Sequence, residues 1–178
     1  MRKVIFVLGG ALFFFAANRT YGEEVAPLKA QAELINSKGE KVGRVTLNQE
    51  GGRVKISVEV SKLSPGLHAF HIHTVGKCDP PDFATAGSHF NPYGKKHGTQ
   101  NHEGPHAGDL PNLLVGGDGT GETEISSTDV TLREGVNSLL SPQGTAFILH
   151  ANPDDNQTDP SGKAGERIAC GVITSSKE

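Results

Sequence analysis

Val54, Ile56, Val58 and Val60 alternate with Lys55, Ser57, Glu59 and Ser61. Successive side chains of a strand point to opposite faces, so this run is written for a strand with one buried and one wet face. Leu28, Ala30, Ala32 and Leu34 repeat the pattern, and Val45 with Leu47 marks another strand between the two. Gly51-Gly52 stands where a hairpin turn would join neighbouring strands. Further short strands are predicted over 69–73, 110–115, 120–126, 145–150 and 168–174. No apolar repeat of helical period runs for long. With 23 glycines and 10 prolines to supply turns, the chain reads as an all-β sandwich or barrel.

Two long segments interrupt the strands, one from Thr74 to about His106 and one from Ala151 to about Glu166. Long irregular loops in a compact domain are usually functional, so a rigid β scaffold is expected to carry its chemistry on these two.

The N-terminus is expected to lie outside the fold. Met1-Arg-Lys is basic, Val4 to Ala17 is apolar apart from two glycines, and a short polar stretch ends at Gly22. This pattern is that of a secretory signal peptide, 1–22, cleaved after Gly22. At 14 residues the run is too short to span a bilayer comfortably. One domain, 23–178, then remains, with no membrane attachment after cleavage. Losing Arg2, Lys3 and Arg19 takes the formal net charge from −3 to −6, which excludes nucleic acid as a natural partner. Export also places Cys78 and Cys170 in an oxidising compartment, where a disulfide is the default.

Seven of the eight histidines fall between His68 and His106. Neutral imidazole is the commonest metal ligand among side chains. His71 and His73, two apart on a strand, share one face, while Phe70 and Ile72 turn to the core. His68 has the parity of Phe70 and Ile72 and is read as a buried structural histidine bonded to backbone. His89, His97, His106 and Asp109 supply three imidazoles and a carboxylate, a closed four-coordinate set for zinc. His71 and His73 need further partners. His150, ending an apolar strand, is available, and His89 would complete the group by bridging through both ring nitrogens. A nitrogen-only set suits Cu(II). His102 has no partner spacing and is placed on the surface.

Five motifs occur in order: Gly66-Leu-His-Ala-Phe-His-Ile-His73, Ala86-Gly-Ser-His-Phe-Asn-Pro92, Lys96-His-Gly98, Gly104-Pro-His-Ala-Gly-Asp-Leu110 and Gly165-Glu-Arg-Ile-Ala-Cys-Gly-Val172. Together they resemble the signatures of the copper/zinc superoxide dismutases. The resemblance implies an eight-stranded Greek-key β-barrel or immunoglobulin-like sandwich with a zinc loop and an electrostatic loop. It implies one copper ion on His71, His73, His89 and His150, and one zinc ion on His89, His97, His106 and Asp109. It further implies a Cys78–Cys170 disulfide, Arg167 at the copper channel, and Asp154 linking a copper ligand to a zinc ligand, with Asp155 adjacent. The implied reaction is dismutation of superoxide to oxygen and hydrogen peroxide, with His89 carrying a proton to the nascent peroxide, in an exported protein of the periplasm or exterior. Family members with a lysine and an acidic pair in the electrostatic loop steer substrate with them. Here Lys163 lies in that segment but is not placed by a motif. Monomers and homodimers both occur in the family. A non-catalytic metal-handling domain is the competing reading, and the presence of every copper-ligand position argues against it.

Overall fold

The alternation of the first strands carries through into space. In a computed structural model that describes residues 28–176, β1 (Leu28–Asn36), β2 (Lys41–Glu50) and β3 (Arg53–Val60) form an antiparallel meander. Val54, Ile56, Val58 and Val60 are buried, while Lys55 and Glu59 face solvent. The predicted hairpin turn at Gly51-Gly52 joins β2 to β3. The predicted leader, 1–22, lies outside the described residues.

The remaining strands are β4 (Gly66–His68), β5 (Phe70–His73), β6 (Leu113–Val115), β7 (Gly121–Ser127), β8 (Ala146–His150), β9 (Arg167–Val172) and β10 (Thr174–Ser175). One antiparallel sheet runs β5-β8-β9-β1-β2-β3-β7 with β10 beside β1, and β4 pairs with β6 in a separate ribbon. β4 and β5 are one strand interrupted at Ala69, so the ribbon continues the sheet at its β5 end. β6 turns directly into β7, where the Gly116 N–H donates to the Thr120 carbonyl at 2.7 Å. The two ends of the sheet thereby meet and it curls into a barrel. Joining β4 to β5 and β9 to β10 gives eight strands among the described residues, the number expected. The chain crosses over from β3 to β4 and returns from β7 to β8, which is the Greek-key crossover.

Inside the barrel, Leu47, Val54, Ile56, Phe70, Ile72, Phe147 and Leu149 are nearly free of solvent. The Phe70 and Phe147 rings stack with centroids 5.0 Å apart. Each such side chain contributes roughly 1.5–3 kcal/mol by leaving water. A second, smaller core of Phe83, Ala86, Ala146, Ile148 and Cys170 lies on the outer face of β8 and β9, beneath the loop after β5. The Cys78–Cys170 disulfide pins that loop to β9 across a sequence separation of 92. Closing a loop of that size removes ~4–5 kcal/mol of unfolded-state entropy in chain models.

The first functional loop is longer than expected. It runs through Asn112, because residues 110–112 do not join the ladder, and it holds one short 3-10 turn, Ala84–Ala86. The second spans 151–166, as expected. A third irregular crossing, 128–145, was not anticipated, and it plugs the barrel with Val130, Leu132 and Leu139. No helix among the described residues is long and apolar enough to cross a membrane.

Candidate metal centre

β5 pairs with β8 in the register His71↔Ile148 and His73↔Ala146. Phe70 and Ile72 enter the barrel core, so His71 and His73 point outward. They are nonetheless buried, because the loops cover them. On β8, Phe147 and Leu149 go inward, and Ile148 and His150 go outward beside His71. A bulge between Leu149 and His150 sets His150 opposite Arg167 instead of Ile168.

The first loop returns twice along the free edge of β5, bridging His73 to His89 and His71 to Asp109. Phe90 N–H donates to the Ile72 carbonyl at 2.8 Å, Ile72 N–H to the Gly108 carbonyl at 2.9 Å, and Gly108 N–H to the Phe90 carbonyl at 2.9 Å. A side chain at Gly108 would collide with the Ile72 carbonyl and Phe90. This backbone crossing therefore requires glycine between His106 and Asp109.

Two clusters of ligand atoms result, each drawn within 4.8 Å: His71, His73, His89 and His150, and His89, His97, His106 and Asp109. In the first, His71 Nδ1 and Nε2 of His73, His89 and His150 are buried without a hydrogen-bond partner among the described residues. The opposite nitrogen of each ring is tied down. His71 Nε2–H donates to Asp154 Oδ2 at 2.8 Å, His73 Nδ1–H to the Gly87 carbonyl at 2.8 Å, and His150 Nδ1–H to the Gly165 carbonyl at 3.1 Å. Each ring is thus held in the tautomer that leaves a lone pair facing the others. An orphaned buried nitrogen costs about 1–3 kcal/mol. A metal ion that takes four nitrogen donors, such as Cu(II), satisfies all of them at once.

The second cluster is built on Asp109. The Nδ1 atoms of His89, His97 and His106 lie 2.9, 3.1 and 3.2 Å from Asp109 Oδ1. Asp109 Oδ2 accepts the backbone N–H groups of Gly98 at 2.9 Å and His106 at 3.0 Å. Three ring nitrogens crowd one carboxylate oxygen, more than its two lone pairs accommodate well. A tetrahedral ion with three nitrogen ligands and one oxygen ligand fits this set, which is zinc chemistry.

Asp154 joins the clusters. Its Oδ2 takes the His71 proton at 2.8 Å and its Oδ1 that of His97 Nε2 at 3.0 Å. The choice between adjacent aspartates falls to Asp154, since Asp155 faces outward onto Thr158 and Lys163. Two residues that sequence reasoning missed support Asp154. Asn112 clamps its backbone, donating from Nδ2 to the Asp154 carbonyl at 3.0 Å and accepting the Asp154 N–H at 2.8 Å. Gly162 leaves the room it needs, because a methyl there would overlap Asp154 Oδ1 and press on His97 Nε2. No spacing in the sequence signals Asn112. Gly162 has φ +63, and its Ser-Gly turn was the only hint.

The electrostatics divide the rings. Burial, reinforced by the neighbouring imidazoles, lowers His73 to about 2 and His150 to about 3. Burial also lowers His89, to about 4, against the pull of Asp109. These rings stay neutral, the form that binds metal. Burial opposes protonation of His97 too, but hydrogen bonds to Asp109 and Asp154 outweigh it and raise this ring to about 9. Burial likewise works against both carboxylates, and their histidine partners nevertheless hold Asp109 and Asp154 well below the usual range.

Arg167 is half-buried. Its Nη1 donates to the Phe83 carbonyl and its Nη2 to the Gly87 carbonyl, both at 2.7 Å. Gly87 thus positions both Arg167 and His73. His68 is buried, with Nδ1 2.8 Å from the His150 carbonyl and Nε2 2.8 Å from the Ser64 carbonyl, the structural role expected of it. His102 is exposed, also as expected.

A sequence model of copper/zinc superoxide dismutases matches residues 41–173. The chain is 51% identical over 148 residues to Cu-Zn superoxide dismutase 1 of Aquifex aeolicus (strain VF5), covering 82% of this chain and 88% of that one. It is 46% identical over 175 residues to Cu-Zn superoxide dismutase 2 of the same organism, covering 97% and 99%. Among solved structures, a superoxide dismutase-like protein from Bacillus subtilis, carrying two substitutions to histidine, superposes with a TM-score of 0.76 at 43% identity. That match covers 80% of this chain and 95% of the other.

Proposed function

The chain belongs to the copper/zinc superoxide dismutase family, and from that premise we propose how its side chains divide the work. Its reaction is the dismutation of superoxide to oxygen and hydrogen peroxide, with copper and zinc as cofactors. We assign copper to His71 Nδ1 and to Nε2 of His73, His89 and His150, and zinc to Nδ1 of His89, His97 and His106 with Asp109 Oδ1. The observation that carries this assignment is the set of four buried, unpartnered nitrogens, one from each ring of the first cluster. When bound, copper supplies one-electron redox chemistry, while zinc, which has none, fixes its ligands.

His89 faces both clusters, with Nε2 unpartnered and Nδ1 on Asp109. When it is not held by copper, its Nε2 is the ring atom that would carry a proton to the product peroxide. Arg167 binds and orients the anion. Its two carbonyl contacts fix the guanidinium plane, and its remaining N–H groups offer a preorganised positive charge that costs no reorganisation. Asp154, held by Asn112, keeps His71 and His97 in the required tautomers.

The leader-like N-terminus and the Cys78–Cys170 disulfide support export to the periplasm or exterior, where the protein would remove superoxide from the cell envelope. No membrane association is proposed for the mature chain, and a homodimer is compatible with the family. The test is dismutase activity on purified protein with copper and zinc counted in the same sample. Activity should scale with copper and vanish in His150→Ala. Arg167→Ala should lose about tenfold or more in rate at unchanged copper content. Full copper occupancy without activity would instead favour metal handling.

A further inference from the structure

Granted the superoxide reading, we propose that Phe83 is a positioning residue for Arg167: its ring, locked into the smaller core, holds in place the carbonyl that fixes the guanidinium. Phe83 stands in an irregular loop, yet it is fully buried. Its backbone is left-handed, with φ 55 and ψ 26. Bulky L residues avoid that region, because Cβ crowds the following carbonyl. Such an outlier persists only where its surroundings over-determine it, and it points to function.

Phe83 packs with Ala86, Ala146, Ile148 and Cys170 on the outer face of β8 and β9. Its carbonyl accepts the Ala86 N–H at 3.1 Å and Arg167 Nη1 at 2.7 Å. Gly87 ends the same short turn and offers the carbonyl that receives Arg167 Nη2. Both carbonyls that hold the guanidinium therefore hang on one turn. Phe83 and Ala86 are its buried side chains, while Ala84 and Thr85 between them are exposed. The disulfide does not reach this far. Asp79, Pro80, Pro81 and Asp82, between Cys78 and Phe83, are all exposed, so the ring and not the sulfur bridge anchors the turn.

From Arg167 the path to the first cluster is short. The Gly87 carbonyl that takes Arg167 Nη2 also takes the His73 Nδ1–H at 2.8 Å. The β8–β9 register sets Arg167 opposite His150. Burial first, then the neighbouring rings, then the charge of Arg167 push His73 and His150 toward the neutral form. Asp82 and Ala84, on either side of Phe83, line the cavity of about 650 Å³ that opens beside Arg167. A shift of the turn would thus move the guanidinium and the wall of its cavity together.

The experiment compares wild type, Phe83→Ala and Phe83→Leu, each with Arg167 intact and with Arg167→Ala, all loaded with copper and zinc. Three quantities are read: the second-order rate constant for superoxide by pulse radiolysis, the affinity for azide, a small monoanion, by optical titration, and the thermal unfolding midpoint. Phe83→Ala should lose about threefold or more in rate and in azide affinity at unchanged metal content. Phe83→Leu, which refills the core with an apolar side chain, should recover most of both. In the Arg167→Ala background neither substitution should change rate or azide affinity further, because the group that Phe83 places is gone. If Phe83→Ala does not fold, Phe83→Val carries the same comparison, since a β-branched side chain fills the core but resists a positive φ. A lowered unfolding midpoint with wild-type rate and azide affinity, or an equal further loss without Arg167, overturns the proposal. A wild-type protein without dismutase activity would remove the superoxide reading instead, and the azide titrations would still decide whether Phe83 places Arg167 for an anion.

Discussion

In the group of His71, His73, His89 and His150, four buried nitrogens face one another without a hydrogen bond, whereas in the group of His89, His97, His106 and Asp109 three rings converge on one carboxylate. Without metal, the second group is held together by protons, above all the one on His97. The first has no proton to stand in for the ion, because burial keeps His73, His89 and His150 neutral. One cluster is a folded-in ion pair network, and the other is a set of unmet lone pairs. The same residue type serves both because the environment decides which rings carry a proton.

The largest expected effect comes from removing the anion. Asp109→Ala should abolish zinc binding and cost about 3–5 kcal/mol in denaturant unfolding, as happens when a buried charged partner is deleted. A variant that keeps its zinc and its unfolding midpoint would erase the distinction between the clusters. A smaller effect is expected at their junction. Asp154→Asn should weaken metal binding about 10- to 100-fold, as loss of a carboxylate behind a ligand histidine does. Asp155→Asn, one residue along, should leave metal content unchanged, and equal losses in the two would dissolve the assignment of the link to Asp154.

The mildest effect is on pH dependence. In the metal-free protein, His73, His89 and His150 have folded values of about 2, 4 and 3, below their unfolded value of 6.5. The unfolded chain therefore takes up protons first, and stability is lost as the pH falls below 6.5. His97, raised to about 9, has the opposite sign. Its contribution is fully present below 6.5 and is lost as the pH rises toward 9. Metal-free protein should thus be most stable near pH 6.5, and zinc, by displacing the His97 proton, should remove the alkaline decline. Unfolding midpoints with and without zinc between about pH 5 and 9.5 would reveal it. An alkaline decline that persists with zinc bound would mean that His97 keeps its proton.

Much of this is legible in the sequence. Alternation located β1 to β3, and parity separated His68 from His71 and His73, because both follow from the geometry of one extended strand. What could not be read depends on contacts between distant segments. The choice of Asp154 over Asp155 is made by Asn112, 42 residues earlier, and by the space that Gly162 leaves. The 128–145 crossing was missed because Val130, Leu132 and Leu139 plug the barrel from an irregular backbone with no period to detect. Residues 110–112 looked like strand by their apolar neighbours, yet Asn112 is spent on Asp154 rather than on a ladder.

His89 presents one ring to both groups, and this has a consequence for how the protein acquires its metals. Under the proposed assignment, each ion changes the orientation and electron density of a ligand of the other, so the two affinities are thermodynamically linked. Linkage is reciprocal: the factor by which zinc alters copper affinity is the factor by which copper alters zinc affinity. The order of loading can then change how fast the centre assembles, but each partly loaded form already carries, in the shared imidazole and in the Asp154 link, its preference for the missing ion.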